Sequence, residues 1–182
     1  GVVTMRGSML GGDIYSTENK RTADMVAAML DQGTTNMSKF EISKKLESVG
    51  ARLSFFNGQA RVGFSGKFLS EDTNMVINLL ADQLKNPLFA EQELEKSKKR
   101  QIAGYKRSKE STRGNAMNNM LQAFYGSNHQ NSPTNPDEAI EQIKGLTSED
   151  LKNYHKEKYG LGSMVLVVVG DVDHVMMENL LK

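Results

Sequence analysis

The sequence predicts an α+β domain of two layers, a mixed or antiparallel β-sheet packed by α-helices, and three observations carry that prediction. Apolar residues recur at helical spacing in several segments. Others alternate at strand spacing around an Asn-Gly turn. The two kinds of segment follow one another without the strict alternation of a doubly wound sheet. At 182 residues the chain fits one domain or at most two small ones and is read as one, residues 1–182, able to bury about 70% of its unfolded surface without disulfide or metal.

Residues 2–10 suit a strand, broken by Gly11-Gly12. Ala23, Val26, Ala27 and Leu30 follow at i, i+3, i+4 and i+7, with Gly33 placed as a helix-ending glycine. Ser38 and Glu41 form a capping box ahead of Ile42, Leu46 and Val49, and Gly50 ends that helix. Residues 51–68 read as a hairpin, with Asn57-Gly58 at the turn and Ala60, Val62, Phe64 and Phe68 alternating with polar or small residues. Ser70 is placed to cap a helix striped by Val76, Leu79, Leu80 and Leu84 and stopped by Asn86-Pro87. A long polar helix spans Ala90 to about Lys109, its acids first and its bases later, as the helix dipole favours. A helix over Ala116–Tyr125 leads into a polar loop, Gly126–Asn135. Pro136-Asp137 opens a short helix, and Thr147-Ser148-Glu149-Asp150 caps another through Lys158. Met164–Val169 is a continuous apolar run suited to a buried strand, and Gly170 turns the chain into a helix at about Asp173.

Composition removes several classes of function. The 23 basic and 22 acidic residues leave a net charge of +1, which excludes an acidic tail or a wholly basic coat for nucleic acid. No apolar run reaches the ~18 residues that a membrane span needs. Without cysteine there is no disulfide, iron–sulfur cluster, thiolate zinc site or cysteine nucleophile. The chain has no initiator Met and opens in a strand-like run, Val2-Val3-Thr4-Met5, and so reads as a piece of a longer protein.

Few residues offer chemistry. His129, His155 and His174 stand 26 and 19 positions apart, a spacing that suits surface histidines better than one metal site. No phosphate-binding glycine loop or serine-nucleophile motif is present, and Gly11-Gly12 reads as a strand end. The segment Lys96–Arg100, continued by Lys106, Arg107 and Lys109, reads as a solvated helix face before it reads as a phosphate contact. Met25, Met29, Met117, Met120, Met176 and Met177 read as flexible core filler, with an adaptable binding groove as the second reading.

Taken in order, several stretches carry a family resemblance. They are Thr22–Leu30, Gln32-Gly33-Thr34, Phe40–Leu53, Leu80–Phe89 and Glu93–Lys96, then Gly145–Leu151 and Val167–Asp173. Together they resemble the first-domain module of the insulinase, pitrilysin and mitochondrial processing peptidase family. Active members of that family carry H-x-x-E-H on the first helix. A glutamate ligand follows on the long helix roughly 75 residues later, completing a His₂Glu zinc site.

In this frame Asp24 and Ala28 stand at the two histidines, Ala27 at the catalytic glutamate, and Gly104 (or Tyr105) at the third ligand. The resemblance therefore implies a degenerate, non-catalytic module holding no zinc, within a parent that is a zinc metalloendopeptidase. Its implied partners are other domains of that parent and a peptide substrate, with no nucleic acid and no membrane span. In active halves the substrate adds as a strand beside the segment matching Arg52–Phe56. Ser54-Phe55-Phe56 departs from the usual pattern there, so no peptide contact is carried over. A stand-alone protein- or peptide-binding adaptor of the same fold is the alternative. Bacterial relatives are commonly exported, which is compatible with a periplasmic setting. Apolar surface left bare by missing neighbours, with self-association of the chain, is a further expectation.

Overall fold

The computed structural model describes residues 1–126, 129 and 131–181. Twelve elements succeed one another. They are β1 (Val2–Leu10), α1 (Thr22–Met29), α2 (Lys39–Ser48), β2 (Arg52–Asn57), β3 (Arg61–Leu69), α3 (Thr73–Lys85) and α4 (Glu91–Ser108), then α5 (Thr112–Tyr125), α6 (Pro136–Gly145), α7 (Ser148–Lys158), β4 (Val165–Gly170) and α8 (His174–Leu181). The four strands form one sheet in the order β2-β3-β1-β4, every pair antiparallel. Of the two sheet types that the sequence allowed, the structure takes the antiparallel one.

Side chains of a strand alternate between faces, and here only one face is covered by helices. Val3, Met5 and Met9 of β1 and Val62, Phe64 and Phe68 of β3 point into a core shared with Val76, Ile77 and Leu80 of α3 and Met177 of α8. A second apolar cluster joins α1 to the outer helices through Met25, Val26, Met29, Leu94, Ile143 and Leu151. The Tyr154 hydroxyl of α7 donates to the carbonyls of Gly11 and Gly12 at 3.2 and 3.0 Å, tying the helix layer to the end of β1. A Cβ on Gly12 would stand 2.3 Å from the Gly58 carbonyl oxygen, so this pair is packed against the hairpin turn rather than open to a phosphate.

Local signals act largely as written. Both capping boxes form, Ser38 with Glu41 and Thr147 with Asp150. Asn135 caps α6 with Pro136 in its first turn, and Ser111 caps α5, which starts at Thr112, four residues before Ala116. The polar loop Gly126–Asn135 lies partly outside the described residues.

Four expectations are corrected. Gly33 does not end α1: the helix stops at Met29, and Gly33, at φ +123°, forms a β-bridge with Ser38. Ser70 does not cap α3; its hydroxyl turns to Gly1 O and Asp171, while Thr73 Oγ1 donates to the Ser70 carbonyl. Met25, Met29 and Met177 are core, but Met117, Met120 and Met176 are exposed. Finally, Met164–Val169 is not a buried strand. It supplies β4, which among the described residues pairs with β1 alone and leaves Val165, Val167 and Val169 58%, 55% and 66% exposed.

Candidate functional site

Helix α1 supplies three of the four positions of interest. Its N-terminus has no side-chain cap of its own; the buried Ser16 hydroxyl instead accepts from Ala23 N at 3.1 Å, satisfying one of the free amides of the first turn. Asp24 lies in that turn, where the helix dipole favours an acid. Asp24 and Ala28, four residues apart, share one half-buried face, while Ala27 is 2% exposed and packs into the sheet-side core.

Helix α4 crosses beside α1 and brings Gly104, also half-buried, into this layer. A Cβ at Gly104 would meet nothing within 4 Å, so the position has room for a side chain it does not carry. Arg21, just before α1, donates to the Tyr105 hydroxyl at 2.8 Å and ties the start of α1 to α4 next to Gly104. The sequence reading missed this link: its partners are 84 residues apart and no motif marks either.

The electrostatics follow from burial. Desolvation pushes the Asp24 carboxyl above the ordinary aspartate range; Arg21 opposes the shift and Asp13 adds to it. The donor set of the four positions is thus one reluctant carboxylate, two methyl groups and a hydrogen. Zinc asks for three nitrogen, sulfur or oxygen ligands plus water, so these residues do not fit it. Among the described residues no group of three or more His, Cys, Asp or Glu side chains is placed to hold a metal ion.

The remaining candidates do not converge. His155 Nε2 donates to the Leu84 carbonyl at 2.9 Å, His129 stacks on Tyr125 at 4.7 Å, and His174 is exposed beside Glu178. Three of the seven bases in and just after α4 are paired with acids: Lys96 with Glu93, Lys98 with Glu95 and Lys109 with Asp137. Strand β2, containing Arg52–Phe56, lies at one edge of the sheet. No helix of the described residues is long and apolar enough to cross a membrane.

Comparison with known proteins places these features. The chain is 23% identical over 91% of its length to an uncharacterized zinc protease of Rickettsia felis, covering 40% of that protein. It is 30% identical over 94% of its length to a probable mitochondrial-processing peptidase subunit alpha-2 of Arabidopsis thaliana, covering 33% of it. In fold it is similar to the peptidase M16 inactive domain from Pseudomonas fluorescens, with a TM-score of 0.89 at 22% identity over 99% of this chain and 44% of that one. The periplasmic protease PqqL of Escherichia coli superposes with a TM-score of 0.83 at 17% identity, over 100% of this chain and 21% of that one. The chain thus spans less than half the length of these relatives. The pattern described as "Peptidase M16 inactive domain" matches residues 145–182. Since the pattern of "Insulinase (Peptidase family M16)" matches residues 10–137, more than half of the chain, the chain belongs to the insulinase family of peptidases.

Proposed function

We propose that this chain is a single degenerate peptidase-like domain of a zinc-dependent insulinase-type protease, itself without catalysis. It serves as scaffold and chamber wall for peptide substrate beside a catalytic half. One observation carries the reading: where the family frame places two imidazoles, a general base and a carboxylate ligand, this chain has Asp24, Ala28, Ala27 and Gly104. A single half-buried carboxylate gathers little of the ~10–16 kcal/mol that a complete structural zinc site supplies. With Ala27 there is also no base to take the proton of an attacking water. The match to an inactive-domain pattern and the protease-related neighbours support the same reading. The partners it implies are the other domains of the parent.

The frame is tested by rebuilding the site. The natural chain is expected to take up no stoichiometric zinc and to cleave no peptide. The triple variant Asp24→His, Ala28→His, Gly104→Glu is expected to bind one zinc by metal analysis and calorimetry, because positions 24 and 28 share a helix face and 104 has room. Stoichiometric zinc on the natural chain, lost on Asp24→Ala, would overturn the reading.

A further inference from the structure

The bare face of the sheet has a chemistry of its own. Across the strand registers, Arg52, Lys67 and Thr4 form one row with Val169, and Ser54, Ser65 and Arg6 form the next with Val167. Phe56, Gly63 and Ser8 follow with Val165, and Arg61 pairs with Leu10 at the end. Arg6, Arg52, Arg61 and Lys67 rise from this face, and among the described residues none of its strand positions carries a carboxylate. A chain of net charge +1 has therefore gathered four cations on one surface.

None of the four takes part in an ion pair among the described residues. Arg61 is held by neutral oxygens, Ser8 Oγ at 2.9 Å and the carbonyls of Ser8 and Ser163 at 2.9 and 2.7 Å, so its position is fixed and its charge uncompensated. Two rim carboxylates are already engaged. Asp171 accepts from Ser70, and Asp13 accepts from Asn57.

Part of the face is preorganised. The Phe56 ring lies across Gly63, where a Cβ would stand 2.2 Å from ring carbon Cζ. The Arg6 guanidinium sits 5.3 Å from the centre of that ring, within cation–π range. A shallow depression of about 550 Å³ runs from this pair to Val165 and Val167.

We propose that this face is an interaction surface for an acidic polypeptide segment that presents carboxylates and aliphatic side chains on one side. Carboxylates meet the guanidinium forks of Arg6 and Arg52, and aliphatic groups cover the valine row of β4. Backbone groups of the inner strands are already paired within the sheet, so recognition here is by side chains and differs from strand addition at an edge. Two other occupants fit worse. A second copy laid face to face would oppose four cations with four. A nucleic acid would pair its phosphates and leave the valines bare to water. The surface goes beyond the scaffold role and does not depend on the zinc frame.

Fluorescence anisotropy with a labelled amphipathic Glu/Leu peptide tests it. Binding is expected, and it should weaken with added salt, as exposed charge pairs do. Charge reversal by Arg6→Glu with Lys67→Glu should lower affinity at least about tenfold. Val167→Ser should also lower it, while Lys99→Glu on α4 leaves it unchanged and all variants keep the parent melting temperature. The proposal is overturned if the Glu/Leu peptide fails to bind, or if a Lys/Leu peptide or unrelated duplex DNA binds as well. Loss on Lys99→Glu equal to that on Arg6→Glu, or a dimer abolished by Arg6→Glu, would also overturn it.

Discussion

The two faces of the sheet carry the same local device in two settings. On the helix-covered face the Phe64 ring lies across Gly7 of the neighbouring strand, where a Cβ would stand 2.3 Å from it. On the bare face the Phe56 ring lies across Gly63 in the same way. In both, glycine gives the ring a floor and the ring shields the glycine backbone. Phe64 is 1% exposed and Phe56 40%. Since pairing and residue types match, the difference between them isolates what the helix layer contributes.

The largest expected effect comes from removing each ring. Phe64→Ala leaves a cavity in the sheet-side core and should cost about 3–5 kcal/mol of unfolding free energy, read from urea denaturation. Phe56→Ala uncovers a glycine and releases Arg6, but opens no closed cavity; a loss of no more than ~1 kcal/mol is expected. Equal losses would mean that the bare face is as tightly built as the covered one.

A methyl added beneath each ring sharpens the contrast. In Gly7→Ala the Phe64 ring has nowhere to move, and the strain should cost about 1–3 kcal/mol. In Gly63→Ala the Phe56 ring can swing toward solvent, so the change should stay within ~0.5 kcal/mol. It should nevertheless weaken binding of the Glu/Leu peptide, since the ring carries Arg6 with it.

How legible this was in the sequence depends on whether a feature is local. The capping boxes at Ser38 and Thr147 and the stop at Asn86-Pro87 are read within a few residues, and they form as written. The apolar run at 164–169 is different. Its composition is that of a strand buried on both sides, yet burial depends on what lies beyond β4 and above the sheet, and a run of valines cannot report that. Ser70 misled for a related reason: it has the right residue type, but distant partners, the Gly1 carbonyl and Asp171, take it first. Gly33 is instead lost to a nearby contact, the β-bridge with Ser38 five residues on. At the candidate site, one motif frame singles out Asp24, Ala27 and Ala28, and all three lie on α1. The Arg21–Tyr105 link next to Gly104 needed the tertiary fold.

The smallest expected effect is a pH dependence belonging to the covered side alone. The bare strand face carries no histidine, whereas the helix layer on the other side holds His155, edge-on to Phe89 and tilted against Tyr159. A carbonyl can only accept, so His155 Nε2 carries the proton it donates to Leu84 O, and the neutral ring is the form that fits. Burial lowers its affinity for a second proton below the ordinary histidine value, although the Leu84 carbonyl partly opposes that shift. As pH falls below about 6.5 the unfolded chain takes up a proton that the folded chain refuses, so stability declines toward the depressed folded value and then levels. His155→Gln should flatten this limb in urea midpoints measured from neutral pH downward, while Phe56→Ala should leave its shape intact. An acid limb that survives His155→Gln would assign the loss to carboxylates instead and remove the histidine from the contrast between the faces.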